Sequence, residues 1–303
     1  MPHYRRNVTF LGGGPIFFGF ISSLLLFLFW KFAETGIEFT LTFDKIIAVV
    51  IAAGIIFLVE LLYDLHEIPN FLRITGKFIA VMVLIYKGFK VTLFSSHTLF
   101  TVDILGYQLH IIDAIISIIW FFIIMYCINK LETLDGITVG ITLIISLFIF
   151  AISIFSHNFQ NALFSAIFIG TLIGIIWEQL TPPQILLGNT GTTFIGFILA
   201  MLTLNFDFSK SINRDVIILI PIILLSCPLT LTAVIIGRKL MGKASGYSFE
   251  ELYKTLKVNN INTKNIMTAT FVLTTVAGLI SIAVFSVSNQ IMAYIFMILA
   301  III

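Results

Sequence analysis

The chain has 303 residues, 59% of them hydrophobic and 11% charged, with 17 Lys+Arg against 15 Asp+Glu. An ordinary soluble domain carries about 25% charged residues, so a chain of this length and polarity cannot cover its own core in water, and a soluble globular protein is excluded. The formal charge of +2 is spread thinly, with no basic cluster interleaved with aromatics, which argues against a nucleic-acid partner.

A bilayer core about 30 Å thick is crossed by roughly 20 mostly apolar helical residues. Such runs predict spans near 12–30, 42–62, 74–93, 112–128, 137–156, 160–178, 185–204, 215–236 and 266–287, with a short tenth at 290–303. The expected fold is therefore an all-α polytopic membrane protein of about nine or ten transmembrane helices. The first run has no small-residue cleavage site and is followed by further spans, so it reads as a span and not a removable signal. Between the third and fourth spans, residues 91–111 alternate apolar and polar side chains around Ser95, Ser96 and Gly106, which predicts a small outward-facing hairpin. Lys and Arg fall eleven to one side and six to the other, which sets the N-terminus and the polar 237–265 loop in the cytoplasm. With no fixed-period repeat and no linker, 1–303 is expected to form one membrane domain. Cys127 and Cys227 lie in apolar runs and imply neither a disulfide scaffold nor a zinc site.

Polar groups are costly inside a membrane domain, so the places where they gather are informative. Under this topology they gather at one face, in four segments. The first is Tyr63-Asp64-Leu65-His66-Glu67 with Arg73 and Lys77, and the second is Asn129-Lys130-Leu131-Glu132-Thr133-Leu134-Asp135-Gly136. Gly188-Asn189-Thr190-Gly191 is the third, and Cys227-Pro228 leading to Arg238 and Lys243 is the fourth. Together they suit a charged ligand at the membrane surface. Each segment also has a plainer reading. Asp64 with Arg73 reads equally as an interfacial ion pair, Asp135-Gly136 as a cap and turn, Gly188 to Gly191 as a close-packed kink, and Arg238 with Lys243 as a positive-inside anchor.

In order along the chain, these segments resemble the polyprenyl-phosphate N-acetylhexosamine-1-phosphate transferases, the glycosyltransferase family 4 group that includes phospho-N-acetylmuramoyl-pentapeptide transferase. Gly12-Gly13-Gly14-Pro15-Ile16-Phe17-Phe18-Gly19 is similar to the family's early glycine segment, and Tyr63-Asp64-Leu65-His66-Glu67-Ile68 to its D-D-x-x-x-L. Asn129 to Gly136 resembles N-x-x-N-L-x-D-G, and Gly188-Asn189-Thr190-Gly191 resembles G-D-T-G. Weaker likenesses continue through Cys227-Pro228-Leu229 and Asn260-Ile261-Asn262. The helix that usually precedes the early glycine segment is absent from the sequence, through a truncated start or true loss.

What the resemblance implies is transfer of a sugar 1-phosphate from a UDP-amino sugar to a polyprenyl phosphate, with release of UMP. It further implies Mg²⁺ held by hard oxygen ligands. On that reading Asp64 and Asp135 are the catalytic carboxylates, Asp64 and Asn189 hold a weakened metal site, and Arg73, Asn129, Glu132, Arg238 and Lys243 bind substrate. The departures concern the same chemistry. Tyr63 replaces the first Asp of the pair, Thr138 the second Asp of D-G-x-D-G, and Asn189 the Asp of G-D-T-G. Leu231 also replaces an Asp, and no histidine stands in 237–265. Losses at five positions imply impaired or altered catalysis and weak or lost Mg²⁺ binding. The alternative is a non-catalytic relative that binds polyprenyl phosphate or a partner. A transporter using Glu60, Lys77, Asp113 and Glu178 as a relay has less in its favour. Polyprenyl phosphate, UDP-sugar and membrane lipid are the expected partners, with a homodimer or a partner membrane enzyme as the protein contacts that the reading admits. The expected location is the plasma membrane, with the site face cytoplasmic.

Overall fold

A computed structural model describes residues 12–35, 40–66, 68–90, 101–104, 107–131, 136–179, 186–206, 219–241 and 263–286. Among them the helices are α1 (Gly13–Thr35), α2 (Thr40–His66), α3 (Asn70–Tyr86), α4 (Ile111–Leu131), α5 (Ile137–Phe155), α6 (Phe159–Gln179), α7 (Gly188–Leu204), α8 (Ile220–Leu224), α9 (Ser226–Leu240) and α10 (Thr263–Ser286). Six of these, α1, α2, α4, α5, α6 and α10, are long and apolar enough to cross a membrane, and α7 and α9 are shorter apolar helices. Phe18, Phe29, Trp30, Phe71 and Trp177 stand exposed among many other large apolar side chains. Water would not tolerate such a surface, whereas a bilayer solvates it. The chain is a polytopic helical membrane protein.

Two differences from the sequence expectation have local causes. The eighth predicted span, 215–236, is two helices, α8 and α9, broken at Leu225. Pro228 accounts for the break: it has no N–H to donate, and its ring would collide with the carbonyl four residues earlier, at Leu224. The third helix begins at Asn70, earlier than the apolar run suggests, because Pro69 starts it. The Pro69 carbonyl accepts from the backbone N–H groups of Leu72 and Arg73, and that early start brings Arg73 into the first turn. Within 91–111, Thr101–Ile104 and Tyr107–His110 pair antiparallel, with Thr101 opposite His110. The predicted tenth span at 290–303 lies outside the described residues.

The contacts divide the chain into two compact units, Met1–Tyr126 with Gln184–Asn205 and Cys127–Pro183 with Phe206–Ile303. In the first, α7 is the axis: every one of its residues except Asn189 is buried. A helix apolar on all sides belongs in the middle of a bundle. Its neighbours approach at glycines. A Cβ on Gly13 would strike the backbone of Thr190 and Gly191, and one on Gly196 would strike the backbone of Met125. Close backbone approach at small residues is the usual basis of helix packing in lipid. Farther along, Trp120 Nε1 donates to Thr203 Oγ1 at 3.0 Å, and the rings of Phe121 and Phe197 meet 5.5 Å apart. Gly76 on α3 in turn faces Val59 on α2 at a distance that no Cβ would allow.

In the second unit α5 and α6 form a hairpin through Ser156-His157-Asn158. His157 takes a left-handed conformation (φ 56°), Asn158 Oδ1 accepts from the Asn161 backbone N–H, and Asn161 Nδ2 donates to Ser153 Oγ at 3.0 Å. The pairing of α5 with α10 is reciprocal: the Phe271 ring fills the space over Gly140, and the Phe148 ring fills the space over Gly278. The order 140 with 271 and 148 with 278 means that the two helices run parallel. Gly278→Ala is expected to cost about 1–3 kcal/mol by overpacking. Gly170→Ala and Gly174→Ala, where a Cβ meets nothing within 4 Å, should be neutral or slightly stabilising. Thermal unfolding of the three variants in one detergent checks the contrast.

Candidate functional site

Within the first unit, α2 ends, and α1, α3 and α7 begin, at the same end of the bundle. The polar side chains there form one connected network, which starts from Glu60. Its side chain is 0% exposed, an expensive place for a carboxylate unless it is paired. Arg73 Nε donates to both Glu60 oxygens at 2.9 and 3.0 Å, and Arg73 Nη2 donates to Oε2 at 2.7 Å. Lys77 Nζ completes the triad at 2.8 Å from Oε1. Arg73 and Lys77 are four residues apart on α3, so both cations lie on the face turned to α2.

Two further contacts hold the guanidinium. Its face lies on the Tyr63 ring, 4.0 Å from the centroid, an arrangement that favours a planar cation. At its edge, Nη2 also donates to Asn189 Oδ1 at 3.1 Å. The other end of that amide, Asn189 Nδ2, donates to Asp64 Oδ1 at 2.9 Å. The amide orientation follows from its neighbours, since the reverse would set oxygen against carboxylate and NH₂ against guanidinium. Asp64 Oδ2 accepts from the backbone N–H of Thr190 at 2.8 Å and from Thr190 Oγ1 at 2.6 Å. Asp64 thus caps α7 from another helix, satisfying an N–H of the first turn at the positive end of the helix dipole.

This arrangement changes the sequence reading of Arg73. The expected alternative, a direct Asp64–Arg73 ion pair, is not what forms: Arg73 pairs with Glu60 and reaches Asp64 only through Asn189. Sequence reading placed Glu60 in the relay alone and missed its part here. The available signal was spacing, because Glu60 and Asp64 are one turn apart on α2 as Arg73 and Lys77 are on α3. Of the other predicted site residues, Asn129 at the end of α4 and Arg238 on α9 are half-buried and belong to the second unit. Glu132, Asp135 and Lys243 lie outside the described residues. Thr138, in the first turn of α5, is buried, and its Oγ1 makes no hydrogen bond among the described residues.

Residues 46–207, more than half of the chain, match the family model described as Glycosyl transferase family 4. The chain belongs to that family. A probable undecaprenyl-phosphate N-acetylglucosaminyl 1-phosphate transferase of Bacillus subtilis is 24% identical over 233 residues, covering 77% of this chain and 60% of the relative. A phospho-N-acetylmuramoyl-pentapeptide-transferase of Clostridium botulinum is 24% identical over 210 residues, 67% of this chain and 61% of the relative. One of the same name from Caldicellulosiruptor bescii reaches 38% over a shorter stretch of 69 residues, 23% of this chain and 22% of the relative. The chain therefore spans less than two thirds of the length of these family members.

The resemblance implies Mg²⁺ at Asp64 and Asn189, and the hydrogen bonds test that implication. The Asn189 oxygen, the only atom of that side chain able to ligate a hard cation, is turned to a guanidinium, and both Asp64 oxygens already accept hydrogen bonds. Among the described residues no three of His, Cys, Asp and Glu stand close enough to share a metal. Among the described residues, Asp64 and Asn189 as hydrogen-bonded here do not by themselves make a Mg²⁺ site.

An aspartate at 189 would behave differently. It would keep the Arg73 contact but set an oxygen against Asp64 Oδ1, where the amide now donates at 2.9 Å. Two carboxylates so close need a shared proton or a cation. Asn189→Asp is expected to lower the thermal midpoint in EDTA, by about 1–3 kcal/mol of lost hydrogen bonding, and Mg²⁺ or Mn²⁺ should restore it. The native protein's midpoint should barely respond to the same ions. Arg73→Ala, which leaves Glu60 with Lys77 alone, should cost more, about 3–5 kcal/mol.

Proposed function

We propose that this chain is a divergent member of the polyprenyl-phosphate sugar-1-phosphate transferases that binds polyprenyl phosphate at the Asp64–Asn189–Arg73 end of its first unit, with sugar-1-phosphate transfer impaired or altered. The observation that carries this reading is the Asn189 amide, which joins Asp64 to Arg73 by hydrogen bonds at the position where the resemblance implies a metal-ligating aspartate. In the reaction that the family resemblance implies, a lipid phosphate oxygen attacks the β-phosphorus of a UDP-amino sugar. The bond between the β-phosphorus and the bridging oxygen breaks, and UMP leaves with that oxygen. Such a step brings anions together and depends on positive charge placed where they meet. In this chain Arg73 supplies such charge, held in position by Glu60 and Tyr63, while Asp64 is committed to α7.

The reading extends to points that follow from the sequence alone. The site face is placed in the cytoplasm, with nine or ten spans in one membrane domain, the 91–111 hairpin on the outer side, and any Mg²⁺ bound weakly. Asp135, Asn129, Glu132, Arg238 and Lys243 remain the candidates for the nucleotide and sugar. The second reading, a non-catalytic relative that binds the lipid phosphate or a partner, shares the same lipid site and differs only in turnover. The relay reading has less support. Glu60 and Lys77 neutralise each other directly, and α4 runs antiparallel to α7, which carries Asp113 toward the far end of the unit.

Purified protein with undecaprenyl phosphate, Mg²⁺ and a panel of UDP-sugars, followed by UMP release, separates these readings. The expected outcome is release far below the 1–10³ s⁻¹ typical of enzymes, for every sugar tried. Release within that range for any sugar would defeat the reading of impaired catalysis.

A further inference from the structure

We infer that Arg73 serves as the cation of this site, so that a phosphomonoester is received by its guanidinium without a divalent metal. The inference rests on the proposed lipid-phosphate reading and adds what holds the phosphate. Arg73 is fixed on three sides. Glu60 takes Nε and Nη2, Asn189 takes the second Nη2 bond, and Tyr63 covers one face. Among the described residues Nη1 makes no hydrogen bond, and the side chain is 17% exposed. A guanidinium held this way presents two N–H donors in a fixed plane, a geometry that suits phosphate oxygens and needs little further ordering.

The local charge agrees. Glu60 and Asp64 balance Arg73 and Lys77 in formal charge, but Glu60 faces both cations directly while Asp64 reaches Arg73 only through the Asn189 amide. Asp64 is itself engaged by the first turn of α7, whose dipole is positive at that end. An incoming anion therefore meets a centre whose carboxylates are already occupied.

The surroundings indicate which phosphate. Beside Arg73 on α3 the exposed side chains are Phe71, Leu72 and Ile74, with Asn70 at the helix start, and beside Asp64 on α2 they are Leu62 and Leu65, with His66 at the helix end, so the rim is mostly apolar. A free nucleotide gains nothing from such a rim, whereas a phosphate carried on a long apolar chain can lay that chain along it. The occupant is a lipid phosphate.

The test uses full-length protein in nanodiscs and measures binding of undecaprenyl phosphate, with UMP and inorganic phosphate as competitors, in EDTA and in Mg²⁺. Equal lipid affinity in the two buffers is expected, within about twofold. Arg73→Gln should weaken binding by at least about tenfold, the scale of one charge-assisted bidentate contact. Arg73→Lys keeps a charge for Glu60 and so protects folding, but it lacks the fork, and it should lie between Gln and the native protein. Lipid binding that requires Mg²⁺, or that Arg73→Lys leaves at native strength, overturns the metal-free cation while leaving the lipid reading intact. Absence of lipid binding in both buffers overturns the lipid reading and this inference with it. Displacement of the lipid by inorganic phosphate or UMP at comparable concentration overturns the assignment to lipid phosphate.

Discussion

Neutralising Glu60 is the requirement on which this end of the first unit depends. A carboxylate with no exposure inside a membrane domain costs several kcal/mol unless cations and donors surround it. Two cations one turn apart on α3 meet that need, but only if α3 returns close along α2. Gly76 makes the approach feasible by yielding its side-chain volume to Val59. Once Arg73 is drawn to Glu60, its remaining edge faces Asn189, Asn189 turns its NH₂ to Asp64, and Asp64 reaches the start of α7. One buried charge thus fixes the order of four side chains and the relation of three helices.

The choice of an amide at 189 is intelligible in these terms. An amide has a donor at one end and an acceptor at the other, so it joins a carboxylate to a guanidinium with no residual charge. A carboxylate in the same place accepts only, and it needs a cation between itself and Asp64. Tyr63 acts in parallel, because its ring face attracts the Arg73 guanidinium without adding a charge that would itself need an ion. On the proposed reading the amide at 189 and the ring at 63 are mutually consistent, since both hold Arg73 by hydrogen bonding and stacking without a further charge.

Much of this is legible in the amino-acid sequence, and the illegible parts share a cause. Hydropathy located α1, α2, α4, α5, α6, α7 and α10 to within a few residues, because length and apolarity are local properties. It passed over the break between α8 and α9, although Pro228 stood in plain view, because a long apolar run outweighs a single helix breaker in a window average. Asp64, Asn189 and Arg73 were singled out by motif order, and they do gather. Their connectivity was not legible, because it is set by Glu60, which no motif includes, and by the packing of Gly76 on Val59. The reciprocal Gly140–Phe271 and Gly278–Phe148 contacts were equally invisible, since they join helices more than a hundred residues apart.

The position of Asp64 at the start of α7 also bears on how strongly this site can hold any cation. To ligate a metal fully, Asp64 would have to give up hydrogen bonds from Asn189 and from Thr190, including the N–H that it satisfies in the helix's first turn. Losing an N-terminal cap costs about 0.5–2 kcal/mol, and a buried donor left unsatisfied costs a further 1–3. At about 1.4 kcal/mol per tenfold, the two together reduce apparent affinity by roughly one to three powers of ten. An aspartate at 189 would lower that cost, because it offers no NH₂ bond to lose and it repels Asp64 until a cation arrives. The same carboxylate is therefore a structural cap beside an amide and a latent ligand beside an acid, and residue 189 decides between the two.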